Sequence, residues 1–198
     1  MRGVYGIVKT PDRLASISSI AGRMLQEYLA VQDPPPAAPS SMPRHQWRPP
    51  DLNSYKANFD AAVFQATNTV GIGVIIRDSN GDVIGALLFM PIPLSQSVAE
   101  LEALACRRAV QFALEIGLRR VTFEGESVTV INAIVRGSPE FLPYGNVIDD
   151  IRFQVSGFHF LKKKKVSGFQ FLDFCHVKRN CNIVVDTLAK KAKHCVGL

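Results

Sequence analysis

Three apolar segments of strand length follow one another with only short turns between them, and this order restricts the folds that are open to the chain. They cover residues 56–64, 71–77 and 82–89. The second and third are separated by residues 78–81, read Asp-Ser-Asn-Gly, and an Asn-Gly pair between two such segments is a strong hairpin signal. Sequential strands joined by short turns predict an antiparallel meander.

Helical and strand patterns alternate after the meander. The sequence predicts helices over residues 97–116, 128–136, 146–155 and 182–193, and strands over residues 120–124 and 170–176. A strand, a helix and another strand in succession are typical of a parallel crossover. We therefore predict an α/β domain in which helices flank a mixed five-stranded sheet, with three antiparallel strands followed by parallel strands.

Two segments with a different character precede this domain, which is expected over residues 51–198. The apolar residues of the N-terminal extension, residues 1–32, have the spacing of an amphipathic helix. Residues 33–50 hold seven of the twelve prolines and show no helical or strand period. We predict that they form a stiff, extended linker.

A near repeat stands ahead of the last predicted strand. Residues 155–161 (Val-Ser-Gly-Phe-His-Phe-Leu) return almost unchanged as residues 166–172. One copy is enough to make the strand, so we interpret residues 155–165 as a duplicated insertion. Between the copies stand Lys162, Lys163, Lys164 and Lys165. Such a run is more often a solvated loop, but these lysines are also candidates for nucleic-acid phosphate contacts.

The composition narrows the classes of function. At 198 residues the chain fits one domain with an appendage, and 47% hydrophobic residues suffice for a core. Its net charge of +6 favours anionic partners such as nucleic acid. No apolar run approaches the length that crosses a membrane. We expect a monomer with no membrane partner.

The cysteines bear on the compartment. They are Cys106, Cys175, Cys181 and Cys195. They form no Cys-x-x-Cys pair and no secretory signal is visible, so we expect reduced thiols in an intracellular protein of the nucleus or cytoplasm. Their spacing with nearby histidines fits no zinc pattern. The basic N-terminus is weakly compatible with an organelle transit peptide, which leaves organelle targeting open.

Four acidic residues lie inside the first strand or at the ends of other predicted elements. They are Asp60, Glu100, Glu126 and Asp186. Each has a structural explanation when taken alone, such as the preference of acids for helix N-termini. Together they provide carboxylates from different elements at one end of a sheet. This is what holding two divalent ions roughly 3.5–4 Å apart for phosphodiester hydrolysis requires, and such oxygen ligands suit Mg²⁺ or Mn²⁺.

Five ordered segments, at matching intervals, resemble a known family. They are Asn58-Phe59-Asp60-Ala61-Ala62, residues 71–78, residues 99–105 (Ala-Glu-Leu-Glu-Ala-Leu-Ala), residues 121–127 (Val-Thr-Phe-Glu-Gly-Glu-Ser), and residues 176–190 from His176 to Lys190. Over about residues 47–193 the chain resembles the type 1 ribonuclease H domain. The form it resembles is the reverse-transcriptase-like, retrotransposon-derived one abundant in plant genomes. The predicted order of strands and helices agrees with that fold.

The resemblance implies an endoribonuclease that hydrolyses the RNA strand of an RNA–DNA hybrid with two Mg²⁺ ions, or with Mn²⁺. It implies that Asp60 is shared by both ions and that Asp186 holds the ion at the leaving group. Glu100 would hold the ion nearer the attacking water, and Glu126 would hold the same cluster from the fourth strand. His176 would assist water handling or product release, and the alternative for it is a strand-end imidazole without a role.

Two departures from the family pattern leave a second function open. The family usually has Asp where Glu126 stands, and the extra methylene adds about 1.5 Å of reach, which Mg²⁺ tolerates poorly. The insertion precedes the strand that leads to His176 and would shift that segment. The alternative function is a catalytically weakened or inactive ribonuclease H-like module for nucleic-acid binding or interaction, derived from a retrotransposon.

Overall fold

Six strands and four α-helices make up the described part of the chain. A computed structural model describes residues 4–8, 46–93, 97–137, 142–156 and 170–195. The strands are β1 (Val4–Val8), β2 (Tyr55–Phe64), β3 (Thr69–Arg77), β4 (Val83–Pro93), β5 (Arg120–Gly125) and β6 (Phe171–His176). The helices are α1 (Val98–Glu115), α2 (Val128–Arg136), α3 (Gly145–Ser156) and α4 (Ile183–Lys191).

All six strands belong to one mixed sheet in the order β1-β4-β3-β2-β5-β6. β2, β3 and β4 form the predicted antiparallel meander. β5 pairs parallel with β2 on one side and with β6 on the other. Residues 55–58, the first part of β2, pair with β5, so the middle of β2 lies beside the C-terminal end of β5, which ends level with β6. The loops and helix starts that follow β5 and β6 therefore lie at the same end of the sheet, beside the middle of β2.

Helices cover both faces of the sheet. α1, α2 and α3 pack on one face against a core that includes Phe59, Val74 and Phe123, all at most 1% exposed. α4 packs on the other face against a smaller core with Ile75 and Leu88. Because side chains alternate along a strand, Asn58 and Asp60 point to the face opposite Phe59.

The small core depends on a close approach between α4 and β3. A Cβ atom added at Gly73 would lie 2.8 Å from the backbone nitrogen of Ala189 and 2.8 Å from the carbonyl oxygen of Val185. Real side chains do not reach backbone atoms at that distance, so only glycine allows the helix to lie so close. Gly73 is also the residue opposite Asp60 in the β2–β3 pairing.

The predicted α/β fold with its mixed sheet is confirmed, with two differences of extent. β1 pairs antiparallel with β4, Val4 opposite Phe89, and adds a sixth strand at the edge of the five that were predicted. β4 continues to Pro93 through residues that were predicted to be a loop, because Thr69 and Val70 of β3 offer it partners. Among the described residues, no helix has the length and apolar character needed to cross a bilayer.

Several predictions fall outside the described residues. These are residues 9–32 of the predicted helical extension, the linker as far as residue 45, and the lysine run 162–165. Most of the repeat lies there too, although β6 begins inside the second copy. The linker's last residues, 46–50, are described and are irregular. Trp47 contacts the domain through a hydrogen bond to Glu124.

A candidate active site built from four carboxylates

Asp60 is the central acid of the site and it is almost completely buried. It lies in β2 with 5% of its surface exposed, and its Oδ1 accepts the backbone N–H of Ala61 at 2.9 Å. Burial, followed by the negative charges of Glu126 and Asp186, raises the pKa of Asp60 from 3.8 to about 7. Three carboxylates from different elements are therefore close enough to interact electrostatically.

Glu102 of α1 supplies the fourth carboxylate and is the one in direct contact with Asp60. It is 9% exposed. Burial, followed by the charge of Asp60 and a hydrogen bond with it, raises the pKa of Glu102 to about 8. Because both pKa values are raised, the two carboxyl groups titrate as a pair and hold a shared proton near neutral pH. In that state Glu102 is the donor and Asp60 the acceptor.

Glu126 and Asp186 lie at the rim of the site, each beside a cation. Glu126 follows β5, just before Ser127 caps α2, and its Oε2 accepts from Arg179 Nε at 3.1 Å. Asp186 lies in the first turn of α4, and its Oδ2 forms an ion pair with Lys190 at 2.6 Å, one turn further on. Their side chains are 17% and 19% exposed.

Arg179 is a site residue that no sequence pattern marks. Its side chain is 81% exposed, yet its positive charge reaches several members of the cluster. The hydrogen bond and charge of Glu126, then the charge of Asp186, raise the pKa of the Arg179 guanidinium. The same guanidinium favours the charged form of Glu102. Arg179 thus offsets part of the negative charge that the four acids concentrate.

The acid of α1 that interacts with Asp60 is Glu102, two residues from the predicted Glu100. Residues two positions apart on an α-helix point about 200° apart, so both cannot face Asp60. Glu100 lies in the first turn, where its N–H donates to Ser97 Oγ at 3.3 Å. The structure therefore brings Asp60, Glu126 and Asp186 together as predicted, but with Glu102 as their fourth member.

A signal for Glu102 was present in the sequence. At helical spacing it shares a face with small residues that are all fully buried in α1: Ala105, Cys106, Ala109 and Ala113. Glu100 shares its face instead with Leu104 and the charged Arg107 and Arg108. A stripe of alanine and cysteine marks the side on which a helix approaches a sheet closely, and Glu102 continues that stripe toward the helix N-terminus.

His176 lies at the same end of the sheet as the acids. It is the last residue of β6 and is exposed. The register of the parallel pair sets it opposite Gly125, the residue before Glu126, and the next residue, Val177, donates its N–H to the carbonyl of Gly125 at 3.0 Å. The structure thus places the segment that carries the imidazole beside Glu126.

The donor atoms of this cluster fit a hard divalent cation. Glu102 Oε2 and Glu126 Oε1 are buried oxygens that have no hydrogen-bond partner in the described part of the structure, and oxygen-only ligands suit Mg²⁺ and Mn²⁺. As the side chains stand, no three His, Cys, Asp or Glu residues in the described ranges are close enough to hold one ion together. The neighbouring cations, Arg179 and Lys190, engage two of the four acids.

The chain belongs to the reverse transcriptase-like family, which matches residues 58–192. RNase H1 of Halobacterium salinarum NRC-1 has a TM-score of 0.56 at 19% identity, covering 72% of this chain and 99% of its own. The N-terminal RNase H domain of a Mycobacterium tuberculosis protein, solved as a maltose-binding protein fusion, gives 0.56 at 15% identity, with 70% and 97% covered.

A third similar structure contains nucleic acid. LC11-RNase H1, which was isolated from compost, was crystallised with an RNA/DNA hybrid. It gives a TM-score of 0.53 at 18% identity, covering 73% of this chain and 100% of that one. A comparison with curated protein sequences gave no match. The fold and the family together identify residues 58–192 as an RNase H-type domain.

Proposed function

We propose that this chain is an endoribonuclease that cleaves the RNA strand of an RNA–DNA hybrid with two divalent ions. The observation that carries the proposal is the convergence of four carboxylates from four different elements at one end of the sheet, with Asp60 and Glu102 nine-tenths or more buried. A fold selected for stability alone would not crowd acids in this way, because each buried charge opposes the next. The hybrid bound to LC11-RNase H1 supports the substrate class.

Asp60, Glu102, Glu126 and Asp186 are the residues that would hold the ions. The chemistry that two Mg²⁺ or Mn²⁺ ions held there would supply is activation of a water molecule and stabilisation of the leaving oxygen of a phosphodiester. For Asp60 and Glu102 to act as ligands, the pair must give up its shared proton. Arg179 and Lys190 must also turn away from Glu126 and Asp186, which their exposed side chains permit.

His176 has the position for moving protons at this site. It lies beside the Glu126 segment, exposed to solvent and outside the buried acid cluster. There it can exchange a proton with a water molecule or with the departing 3′-oxygen and pass it to bulk solvent. This role requires an imidazole but no fixed partner, so His176→Ala should slow turnover and leave ion binding unchanged.

Positive charge around the acids would hold the phosphates of the substrate. Lys178, Arg179, Lys190 and Lys191 lie on the two segments that flank Asp186. Contacts of this kind bind through phosphates and are independent of base sequence. We therefore expect hybrid binding that weakens steeply with added salt and shows little preference among base sequences.

A second function, a nucleic-acid-binding module without effective catalysis, is favoured by one observation. Glu126 is engaged by Arg179 and reaches about one methylene further than the aspartate of the family pattern. Under this alternative the hybrid binds but its RNA strand stays intact.

Cleavage of a labelled RNA–DNA hybrid in Mg²⁺ and in Mn²⁺ tests the proposal, with Asp60→Asn as the control. Asp60→Asn keeps the shape of the side chain while removing the charge that both ions need. We expect cleavage of the RNA strand by the wild-type protein and a loss of at least 100-fold in the control, the usual scale for one electrostatic catalytic group. A folded wild-type protein that binds the hybrid without cleaving it would establish the binding module instead.

A further inference from the structure

A chain of buried hydrogen bonds runs behind the carboxylate cluster. Its members, here called the buried polar network, are Asn58, Glu124 and Asn182, all at most 4% exposed. Asn58 Nδ2 donates to Glu124 Oε2 at 3.0 Å and to Asn182 Oδ1 at 3.2 Å. Asn182 Nδ2 in turn donates to the carbonyl oxygen of Phe59 at 3.1 Å. The network joins β2, β5 and the start of α4.

The ends of the network are anchored outside the site. Glu124 Oε2 also accepts from Trp47 Nε1 at 2.9 Å, and Glu124 Oε1 pairs with Lys56 Nζ at 2.8 Å. The Trp47 ring lies under the guanidinium of Arg77, 4.4 Å from ring centroid to Cζ. The segment ahead of β2 is therefore fastened to the same carboxylate that orients Asn58.

The side chain of Asn182 does not make the hydrogen bond that is usual for its position at the start of α4. It is the N-cap residue of α4, and asparagine is among the best N-caps because its side-chain oxygen accepts an N–H from the first turn. Here the side chain makes no such bond. It is turned toward β2 and bonded to Asn58 and to the Phe59 carbonyl. The helix forgoes a cap that typically contributes about 1 kcal/mol, and the contact with β2 takes its place.

Each residue of the buried polar network is close in sequence to one of the acids. Asn58 and Asp60 are two apart on β2, and Glu124 and Glu126 are two apart across the end of β5. Asp186 is one helical turn after Asn182 and donates its N–H to the Asn182 carbonyl at 3.0 Å. A shift in any bond of the network therefore moves one acid relative to the other two.

The network is poorly explained as a device for stability. Asn58 Oδ1 is buried and has no hydrogen-bond partner in the described structure, and an unsatisfied buried acceptor is costly. Apolar residues of similar volume in such a position are often neutral or stabilising. Hydrogen bonds differ from apolar packing in being directional, so what the amides add is a defined geometry.

We infer that Asn58, Glu124 and Asn182 are positioning residues, which fix the spacing of Asp60, Glu126 and Asp186 that ion binding requires. The inference rests on the proposed function and deepens it. Asn182 sets the start of α4 against β2, and Glu124 sets β5 against Asn58. Second-layer partners of metal ligands typically alter metal affinity by about 10–100-fold when removed, and this network holds the same place relative to the four acids.

Asn182→Ala tests the link between α4 and β2, with Asn132→Ala as the matched control. Asn132 is exposed on α2, so the control makes the same chemical change away from the network. In the absence of metal, we expect amide hydrogen exchange at Val185 and Asp186, which donate to the Asn182 carbonyl, to be about tenfold faster in Asn182→Ala. In calorimetric titration with Mn²⁺, the half-saturating concentration should rise about 10–100-fold, and the control should match the wild type in both.

Glu124→Gln and Glu124→Ala separate positioning from stability. Glutamine keeps an oxygen that accepts from Trp47 and Asn58 and loses only the ion pair with Lys56. Glutamine should therefore lower the stability yet keep Mn²⁺ half-saturation within about threefold of the wild type, whereas alanine should raise it by about tenfold or more. Titrations are compared at a temperature where circular dichroism shows each variant to be folded.

The outcomes distinguish the inference from the function it deepens. Folded Asn182→Ala and Glu124→Ala proteins with wild-type exchange and wild-type Mn²⁺ half-saturation would overturn the inference, as would a loss of stability alone. If the wild-type protein takes up no Mn²⁺ and cleaves no hybrid, the proposed function falls. Exchange at Val185 and Asp186 then still decides whether Asn182 holds α4 against β2: faster exchange supports that geometry, and unchanged exchange refutes it.

Discussion

Replacing Glu102 with glutamine should stabilise the metal-free protein above neutral pH while removing its function. The pKa of Glu102 rises from 4.5 in its ordinary state to about 8 in the folded protein. Glu102 thus keeps its proton to a higher pH in the folded state than in the unfolded chain. The free energy of unfolding therefore falls as the pH rises from about 4.5 to about 8. At about 1.4 kcal/mol for each pKa unit, the upper limit of this destabilisation is about 5 kcal/mol. The raised pKa belongs to the coupled pair with Asp60, so only part of this free energy is recovered when Glu102 alone is replaced, and we expect about 2 kcal/mol.

Urea unfolding in EDTA measures this effect, with Glu100→Gln as the matched control. The unfolding free energy of Glu102→Gln should equal that of the wild type near pH 4 and exceed it by about 2 kcal/mol above about pH 8.5. Glu100→Gln removes a carboxylate of the same helix, two residues away, and should follow the wild type throughout. Saturating Mg²⁺ should reverse the order, because only the wild type then gains the free energy of ion binding. A destabilised Glu102→Gln at high pH, or an equal gain from Glu100→Gln, would refute the assignment of Glu102 to the cluster.

Three further substitutions test other parts of the site. Gly73→Ala should lower the unfolding free energy by about 3 kcal/mol in urea titration, since its Cβ would lie 2.8 Å from backbone atoms of α4. A change below about 0.5 kcal/mol would show that α4 can move away from β3 without cost. Arg179→Ala should lower the half-saturating concentration of Mn²⁺ in calorimetry about two- to fivefold, because the Arg179 guanidinium no longer competes for Glu126. A weaker affinity for Mn²⁺ in this variant would instead mean that Arg179 helps to hold the ions. Glu126→Asp should raise turnover of the hybrid in Mg²⁺ by about tenfold, by restoring the shorter reach that Mg²⁺ geometry favours. An unchanged turnover would show that the extra methylene of Glu126 does not limit catalysis.

The elements that the sequence predicted well are those whose ends carry local signals. The helix over residues 128–136 was predicted with the bounds that α2 has, because Ser127 caps it and Gly137, at a φ of 98°, ends it. β1 carried no such signal: five residues make a strand only when β4 offers a free edge, and that partner is more than 70 residues away along the chain. Local patterning thus fixed the meander and its helices but not the edge of the sheet.

The same distinction holds for the site. Asp60, Glu126 and Asp186 were found because an acid inside a strand or at an element end is locally conspicuous. The choice between Glu100 and Glu102 depended on which side of α1 meets the sheet. The stripe of small residues on α1 favours Glu102. Glu100 was predicted instead because it lies in the first turn of that helix, where the helix dipole favours acids. The buried polar network has no sequence pattern of its own, since its members meet only when β2, β5 and α4 are assembled.

The positions at which this chain departs from the rules for a stable fold are concentrated in one place. The described structure has four buried side-chain oxygens without a hydrogen-bond partner, and they belong to Asn58, Glu102, Glu126 and Gln154. Three of these residues lie in the carboxylate cluster or in the buried polar network, and Asp60, the central acid of the cluster, has a strongly raised pKa. Natural folds satisfy buried polar atoms nearly everywhere, and exceptions are expected where function requires them. An oxygen that lacks a protein donor is free to accept a cation, and a raised pKa falls again once a cation neutralises its neighbours. The atoms that lower the stability of the metal-free protein would thus be satisfied when ions bind. The cost in stability and the proposed chemistry therefore come from the same residues.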